Sequence, residues 1–224
     1  MKFLVLSDIH GAIENLEKLN SEFEQADAVL FAGDFAKFGD TSTGEPTLEA
    51  LCKKHDQIFA VLGNCDEPDF IENMEKRDIS VQKTIAFFDS LAICGSGGGS
   101  KFTGSTPNER SDEELASDFD VLFDGENEKW ANLIAIMHNP PKDTKCDMIE
   151  NGMHVGSPLL RAFIERAEPL AVITGHIHES SGIDTLGRTV VINPGSLAEG
   201  KYAILELKKG ADGWQIDSSI LKQL

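Results

Sequence analysis

The sequence predicts an α+β protein in which two β-sheets are flanked by helices, and three observations carry that expectation. The first third alternates short apolar runs with amphipathic stretches, the βαβαβα rhythm of a parallel sheet and its crossovers. Runs such as Phe3-Leu4-Val5-Leu6 and Ile58-Phe59-Ala60-Val61-Leu62 are apolar on both faces, as strands in the middle of a covered sheet must be. The last third spaces β-type runs with glycine-bearing turns, which predicts an antiparallel meander completing a second sheet. No repeat, low-complexity tract or linker divides the chain, so residues 1–224 are read as a single domain.

Taken in order, strands are expected at residues 2–6, 28–32 and 57–62, with helices at 12–24, 48–54 and 68–76 between and after them. Asp66 is expected to cap the helix that starts at Pro68. A hairpin follows, its arms at 84–88 and 91–94 joined by Asp89-Ser90, with Phe87 and Phe88 read as core. The glycines at 95–99 predict a turn, because no Lys-Ser or Lys-Thr follows to make a P-loop; residues 101–110 form a polar excursion. Ser111-Asp112-Glu113-Glu114 has the form of a capping box and opens a helix reaching about residue 123. Leu133-Ile134-Ala135-Ile136-Met137 is a buried strand, stopped by Pro140 and Pro141, which cannot donate to a ladder. A helix from Ser157 or Pro158 to residue 167, a strand at 170–174, and the meander at 189–192, 202–207 and 214–218 complete the chain.

Charge narrows the functional classes. With 20 Lys+Arg against 38 Asp+Glu, the formal net charge is −18, which argues against long nucleic acid and anionic membranes as partners. The apolar stretch at residues 3–6 is too short for a signal-peptide core, and no later run approaches membrane-spanning length. Cys52, Cys65, Cys94 and Cys146 form no CxxC pair, against both a disulfide framework and a tetrathiolate zinc site; a reducing cytoplasm is the expected compartment.

Five expected strands end in residues able to bind a metal. The runs lead into Asp8-Ile9-His10, Gly33-Asp34, Gly63-Asn64, His138, and Gly175-His176-Ile177-His178. Carboxyl ends of strands open onto the ligand crevice of α/β sheets, and residues two apart in an extended segment share a side. Asp8 with His10, and His176 with His178, can therefore each face one ion. The glycines before three of these ligands let the backbone turn or pack close to a cluster. Imidazole, carboxylate and amide donors in that number suit two divalent ions of the Mn, Fe, Zn, Co or Ni kind, with Mn the first choice.

The order D-x-H, G-D, G-N-x-D, H, G-H-x-H resembles the calcineurin-like metallophosphoesterase superfamily, and the resemblance spans Asp8 to His178. The later Asn193-Pro194-Gly195-Ser196 loop is similar too. This resemblance implies a four-layer αββα sandwich with two mixed sheets. It implies one ion on Asp8, His10, Asp34 and His178, a second on Asp34, Asn64, His138 and His176, and Asp34 bridging them. The implied reaction is hydrolysis of a small phosphorylated substrate, diester or monoester, by metal-activated hydroxide, with Asp34, Asn64 and His138 at its centre.

One position departs from the family pattern. Many members carry a histidine after the metal-binding asparagine, where it serves the leaving group; here it is Cys65. A thiol of ordinary pKa about 8.5 is a poor proton donor, which tilts the expectation toward diesters or activated esters. His154 is the candidate replacement, and Asn108 and Arg110 are candidate lining of the substrate cleft. Two competing readings are a catalytically weak scaffold and an amidohydrolase using the H-x-H pair. The first is disfavoured because every expected ligand remains, the second because the pair lies late in a chain short for a full barrel.

Overall fold

The computed structural model describes residues 1–102, 104–123, 130–211 and 213–224; Thr103, within the expected polar excursion, lies outside the described residues. Parallel strands β1 (Lys2–Leu6), β2 (Ala28–Phe31) and β3 (Ile58–Ala60) form one side of a five-stranded sheet, with Leu4, Val29 and Ile58 in line. The expected first helix is two, α1 (Ile13–Lys18) and α2 (Asn20–Gln25). The break falls at Leu19, whose N–H bonds back to the Leu16 carbonyl, and it lets Leu16, Leu19 and Phe23 all face the core. Helices α3 (Gly44–Cys52) and α4 (Ile71–Glu75) follow β2 and β3.

The hairpin is present as β4 (Ile85–Phe88) and β5 (Leu91–Ser96), antiparallel to each other. Two corrections arise here. Phe87 is exposed, because it sits on the outward side of an edge strand. The glycines at 95–99 are not a plain turn: β5 extends through Gly95 to Ser96, and β6 (Gly99–Ser100) pairs with β7 (Glu109–Arg110). Gly95 is required where it lies, since a Cβ there would sit 2.7 Å from the Ile136 carbonyl oxygen.

The capping box is formed: Glu114 N–H reaches Ser111 Oγ at 3.2 Å and Ser111 N–H reaches Glu114 Oε2 at 2.7 Å. It opens α5 (Asp112–Ser117), a shorter helix than expected, followed by a 3-10 turn at Asp120–Leu122. Strand β8 (Leu133–Met137), helix α6 (Pro158–Ala167, capped by Ser157) and strand β9 (Ala171–Ile173) agree with expectation.

The C-terminal meander does not complete one sheet. Strand β10 (Gly182–Leu186), unread in the sequence, pairs antiparallel with β11 (Thr189–Asn193), and β11 lies parallel to β9. The chain then crosses over, and β12 (Lys201–Gly210) and β13 (Gly213–Gln223) add to β1 in the other sheet. The crossing is fixed by the connection itself: Leu197 N–H bonds Ser7 O at 2.9 Å and Ala198 N–H bonds Asp8 O at 3.2 Å, which delivers β12 to the edge of β1. The sheet orders are β13-β12-β1-β2-β3 and β10-β11-β9-β8-β5-β4, both mixed.

Side-chain alternation stacks these sheets into four layers. Phe3, Val5 and Leu30 from one sheet meet Ile93, Ile134, Ile136 and Ile173 from the other. The opposite faces carry Leu4, Leu6 and Phe31 under Leu16, Leu48 and Leu51, and Ala135, Met137 and Val172 under Leu160, Phe163 and Ile164. The expected αββα sandwich is therefore the observed architecture. Ile93 is fully buried between the sheets, so Ile93→Val should lower unfolding free energy by about 0.5–1.5 kcal/mol in urea titration, and an unchanged midpoint would contradict its place in that core. Among the described residues no helix is long and apolar enough to cross a membrane.

Candidate metal centre

The strand ends converge at the rim between the sheets. After β1 and β2, and in the segments after β9, the side chains are swung inward by left-handed backbone at Asp8 (φ 54°), His10 (φ 47°), Asp34 (φ 64°) and His176 (φ 68°). Such conformations cost about 1–3 kcal/mol each for non-glycine residues and persist where surroundings over-determine them, which is typical of functional sites. Here four of the seven expected ligands adopt them.

Distances show which groups meet. His178 Nε2 lies 3.1 Å from Asp8 Oδ1 and 3.3 Å from His10 Nε2. His10 Nε2 is 3.7 Å from Asp8 Oδ1 and 3.6 Å from Asp34 Oδ2. On the other side of Asp34, His138 Nε2 is 3.5 Å from the same Oδ2 and 2.8 Å from Asn64 Oδ1. His176 stacks obliquely beside His138, their ring centroids 5.1 Å apart, and its backbone N–H bonds Asp8 Oδ2 at 3.1 Å. All seven expected ligands are thus brought to one place.

The donor set fits divalent cations. A backbone carbonyl can only accept, so Nδ1 of His10 donates to Ala36 O at 2.9 Å and Nδ1 of His138 donates to Ala32 O at 2.6 Å. Nε2 of His10 then faces two carboxylates, and Nε2 of His138 faces a carboxylate and an amide oxygen. An imidazole whose Nδ1 is held by a backbone carbonyl and whose Nε2 faces oxygen ligands has the arrangement of a metal-binding histidine. Desolvation pushes the His176 imidazole down to about 3, so it is neutral and able to ligate. Burial alone would raise the Asp8 carboxyl, but the hydrogen bond from His178 and the nearby imidazoles outweigh it and hold Asp8 below the usual carboxylate range. Burial would lower His178; its bond to Asp8 and that carboxylate's charge outweigh it and raise it.

The glycines allow this crowding. A Cβ on Gly63 would collide with the Asp34 carboxylate, and one on Gly175 with Ser7 Oγ and Asp8. Gly33 has φ +94°, and a Cβ there would sit 2.6 Å from Gly63 N.

Asp66 corrects the sequence reading. It does not cap the following helix, whose N-cap position is Glu67. Its buried carboxylate instead accepts four backbone N–H groups: Oδ2 from Gly63 (2.8 Å), Asp34 (3.1 Å) and Phe35 (3.3 Å), Oδ1 from Ala36 (2.8 Å). It clamps the loop after β2 to the loop after β3. Burial and the charge of Asp34 push its carboxyl up against the pull of those donors. The G-N-x-D spacing, with Asp two residues beyond the ligand Asn64, was the available signal. The Asn193-Pro194-Gly195-Ser196 loop braces the other edge, Ser196 Oγ donating to Asp8 O at 2.8 Å.

Three candidate substrate contacts sit elsewhere than expected. His154 Nδ1 pairs with the buried Asp147 carboxylate at 2.7 Å, closing the 143–156 loop; the cleft beside Asn64 and His176 is lined by its neighbour Val155. Asn108 is buried and donates to Gly63 O at 2.9 Å, supporting the Asn64 loop from beneath. Arg110 is consumed by a bidentate pair with Asp118, at 2.6 and 2.9 Å, and by the Gly97 carbonyl. Cys65 is buried against the cluster, its N–H on Asp34 Oδ1 at 2.8 Å, and burial with the surrounding carboxylates pushes its thiol far up.

A sequence model of the family described as calcineurin-like phosphoesterase matches residues 1–180. The chain belongs to that family. An uncharacterised Methanocaldococcus jannaschii protein, MJ1162, is 29% identical over 215 residues, covering 93% of each chain. Among solved structures, TT1561 of Thermus thermophilus superposes with a TM-score of 0.69 at 18% identity, covering 97% of this chain and 98% of its own. A dimetal phosphatase from Danio rerio superposes with a TM-score of 0.63 at 12% identity, covering 100% and 98%. In this family member, Asp8-His10-His178, His10-Asp34-Cys65 and Asp8-Asp34-His138 each bring candidate ligand atoms within 4.8 Å of one another.

Proposed function

We propose that this protein is a dinuclear metal-dependent phosphoesterase. One ion would be held by Asp8, His10, Asp34 and His178, the other by Asp34, Asn64, His138 and His176. The observation that carries the reading is the place of Asp34: one carboxylate oxygen lies 3.6 Å from His10 Nε2 and 3.5 Å from His138 Nε2, between the two halves of the ligand set. Two divalent ions about 3.5–4 Å apart would supply Lewis acidity toward phosphoryl oxygens and a water of lowered pKa. The residues do the rest. Backbone carbonyls fix the imidazole tautomers, Asn64 offers a neutral oxygen that leaves the local charge positive, and Asp66 holds both loops in register.

The proposed substrate cleft is a cavity of about 330 Å³ whose lining includes Asn64, His176, Ser100 and Asn139 together with Phe102, Ile149 and Val155. Such a cleft suits a small ester with an apolar or aromatic group. Because the residue after Asn64 is a buried cysteine, no imidazolium stands at that position to protonate the leaving group. This supports phosphodiesters or activated monoesters as substrates. Phe102→Ala should raise KM for an aromatic diester about 2–10-fold with kcat little changed, the worth of one ring contact; an unmoved KM would remove Phe102 from the cleft's contacts.

The function is tested by turnover of a panel of phosphomonoesters, nucleotides and chromogenic diesters across Mn, Zn, Co, Ni and Fe. Chelation should abolish hydrolysis and divalent ion restore it. A protein that binds no metal and stays inert after reconstitution overturns the reading in favour of a scaffold. Four free cysteines agree with the reducing cytoplasm we propose as its compartment.

A further inference from the structure

Cys65 differs from the other three cysteines in what its sulfur faces. Cys94 is buried in the apolar layer beneath α5 and α6, and Cys146 Sγ rests on the Gly182 and Val191 carbonyls at 3.5 and 3.8 Å. Cys52 ends α3, packed at the edge of the other helical layer. Cys65 Sγ, by contrast, lies with a His10 ring nitrogen and an Asp34 carboxylate oxygen, all within 4.8 Å of one another. Two contacts hold it there: its own N–H donates to Asp34 Oδ1 at 2.8 Å, and the Asn64 amide donates to Sγ at 3.6 Å. The residue is 4% exposed, so the sulfur is turned away from solvent and toward the cluster.

We propose that Cys65 Sγ is a further ligand of the ion assigned to Asp8, His10, Asp34 and His178, and that it selects Zn(II), Co(II) or Fe(II) over Mn(II). The inference rests on the dinuclear reading above and adds a sulfur donor to it. On binding, the S–H bond breaks, sulfur keeps the electron pair and donates it to the ion, and the proton leaves to solvent; no oxidant or reductant takes part. Thiolate is a soft donor that suits zinc and iron, whereas manganese prefers oxygen, so one sulfur among oxygens and imidazoles shifts the choice of ion. This replaces Mn as the first choice of metal.

The test uses the full-length protein, stripped of metal and titrated with Co(II). Visible absorption reports occupancy and near-ultraviolet sulfur-to-cobalt charge transfer reports ligation by a thiolate. The charge-transfer band should rise with occupancy in the wild type and in Cys52→Ala, and vanish in Cys65→Ser while the visible bands remain. Zn(II) affinity should fall at least about tenfold in Cys65→Ser, and Mn(II) affinity by less than about threefold. Cadmium NMR of the wild-type protein needs no variant and should give a resonance in the sulfur-coordinated range. Bound cobalt with no sulfur band, or cadmium with only nitrogen and oxygen ligands, overturns the assignment of Cys65 and leaves the metal centre standing. Equal losses of Zn(II) and Mn(II) affinity overturn the selectivity. Failure to bind any ion overturns this inference and the dinuclear reading together.

Discussion

Asp34→Ala is expected to lower kcat/KM for phosphoester hydrolysis by at least about 10³-fold, because groups that act as one unit are lost as one unit. The geometry explains the size of the effect. Asp34 Oδ2 stands within 3.6 Å of imidazoles on both sides, and Oδ1 accepts the Cys65 N–H, so a single carboxylate joins the two halves of the ligand set. Its removal takes one ligand from each proposed ion and the charge that keeps the ions together. Metal content should fall at both positions. His178→Ala touches only the half around Asp8 and His10 and should weaken one ion. Loss of the carboxylate also relieves its repulsion of Asp66, so the variant should remain folded by circular dichroism. Kinetics with metal analysis of the purified variant decides the matter; a rate near wild type would rule out the bridging role.

The second large effect is expected at a residue that touches no proposed ion. Asp66→Ala should destabilise the protein by about 3–5 kcal/mol and weaken metal affinity about 10–100-fold. Four buried backbone N–H groups, at Asp34, Phe35, Ala36 and Gly63, would lose their acceptor in one step. These donors belong to the loops after β2 and β3, which carry Asp34 and Asn64, so the loops lose their mutual register. Asp66→Asn, which retains one carbonyl oxygen, should be milder on both counts. Urea unfolding and zinc titration measure the two effects separately. Wild-type stability in Asp66→Ala would mean that other contacts hold the loops.

The candidate ligand positions were legible because each follows the end of an apolar strand run. The D-x-H and H-x-H spacings mark the positions, but strand periodicity is not what turns the side chains inward: Asp8, His10 and His176 lie in left-handed backbone and His178 opens a 3-10 turn. The second tier was not legible. The G-N-x-D spacing singles out Asp66, but three of the four N–H groups it accepts lie about 30 positions away, so the spacing does not say what the carboxylate holds. His154 and Arg110 were attractive by residue type alone, and their carboxylate partners, Asp147 and Asp118, claim them only once the loops are folded.

The fold divides in the same way. The strand runs from Leu4 to Ile173, the capping box at Ser111 and the Ser157 cap follow from alternation, propensity and local hydrogen bonding, which act over a few residues. Which sheet a C-terminal strand joins does not. Alternation does not choose the sheet for β12, and backbone bonds from Leu197 and Ala198 to the segment after β1 bring it to β1 and away from β11. The amino-acid order alone therefore determined most of the elements and the metal-binding residue types that follow the strands. Only the tertiary structure decided the partners of each strand, the clamp at Asp66 and the approach of Cys65 sulfur to His10 and Asp34, because each depends on contacts between segments whose separation no short window of sequence can span.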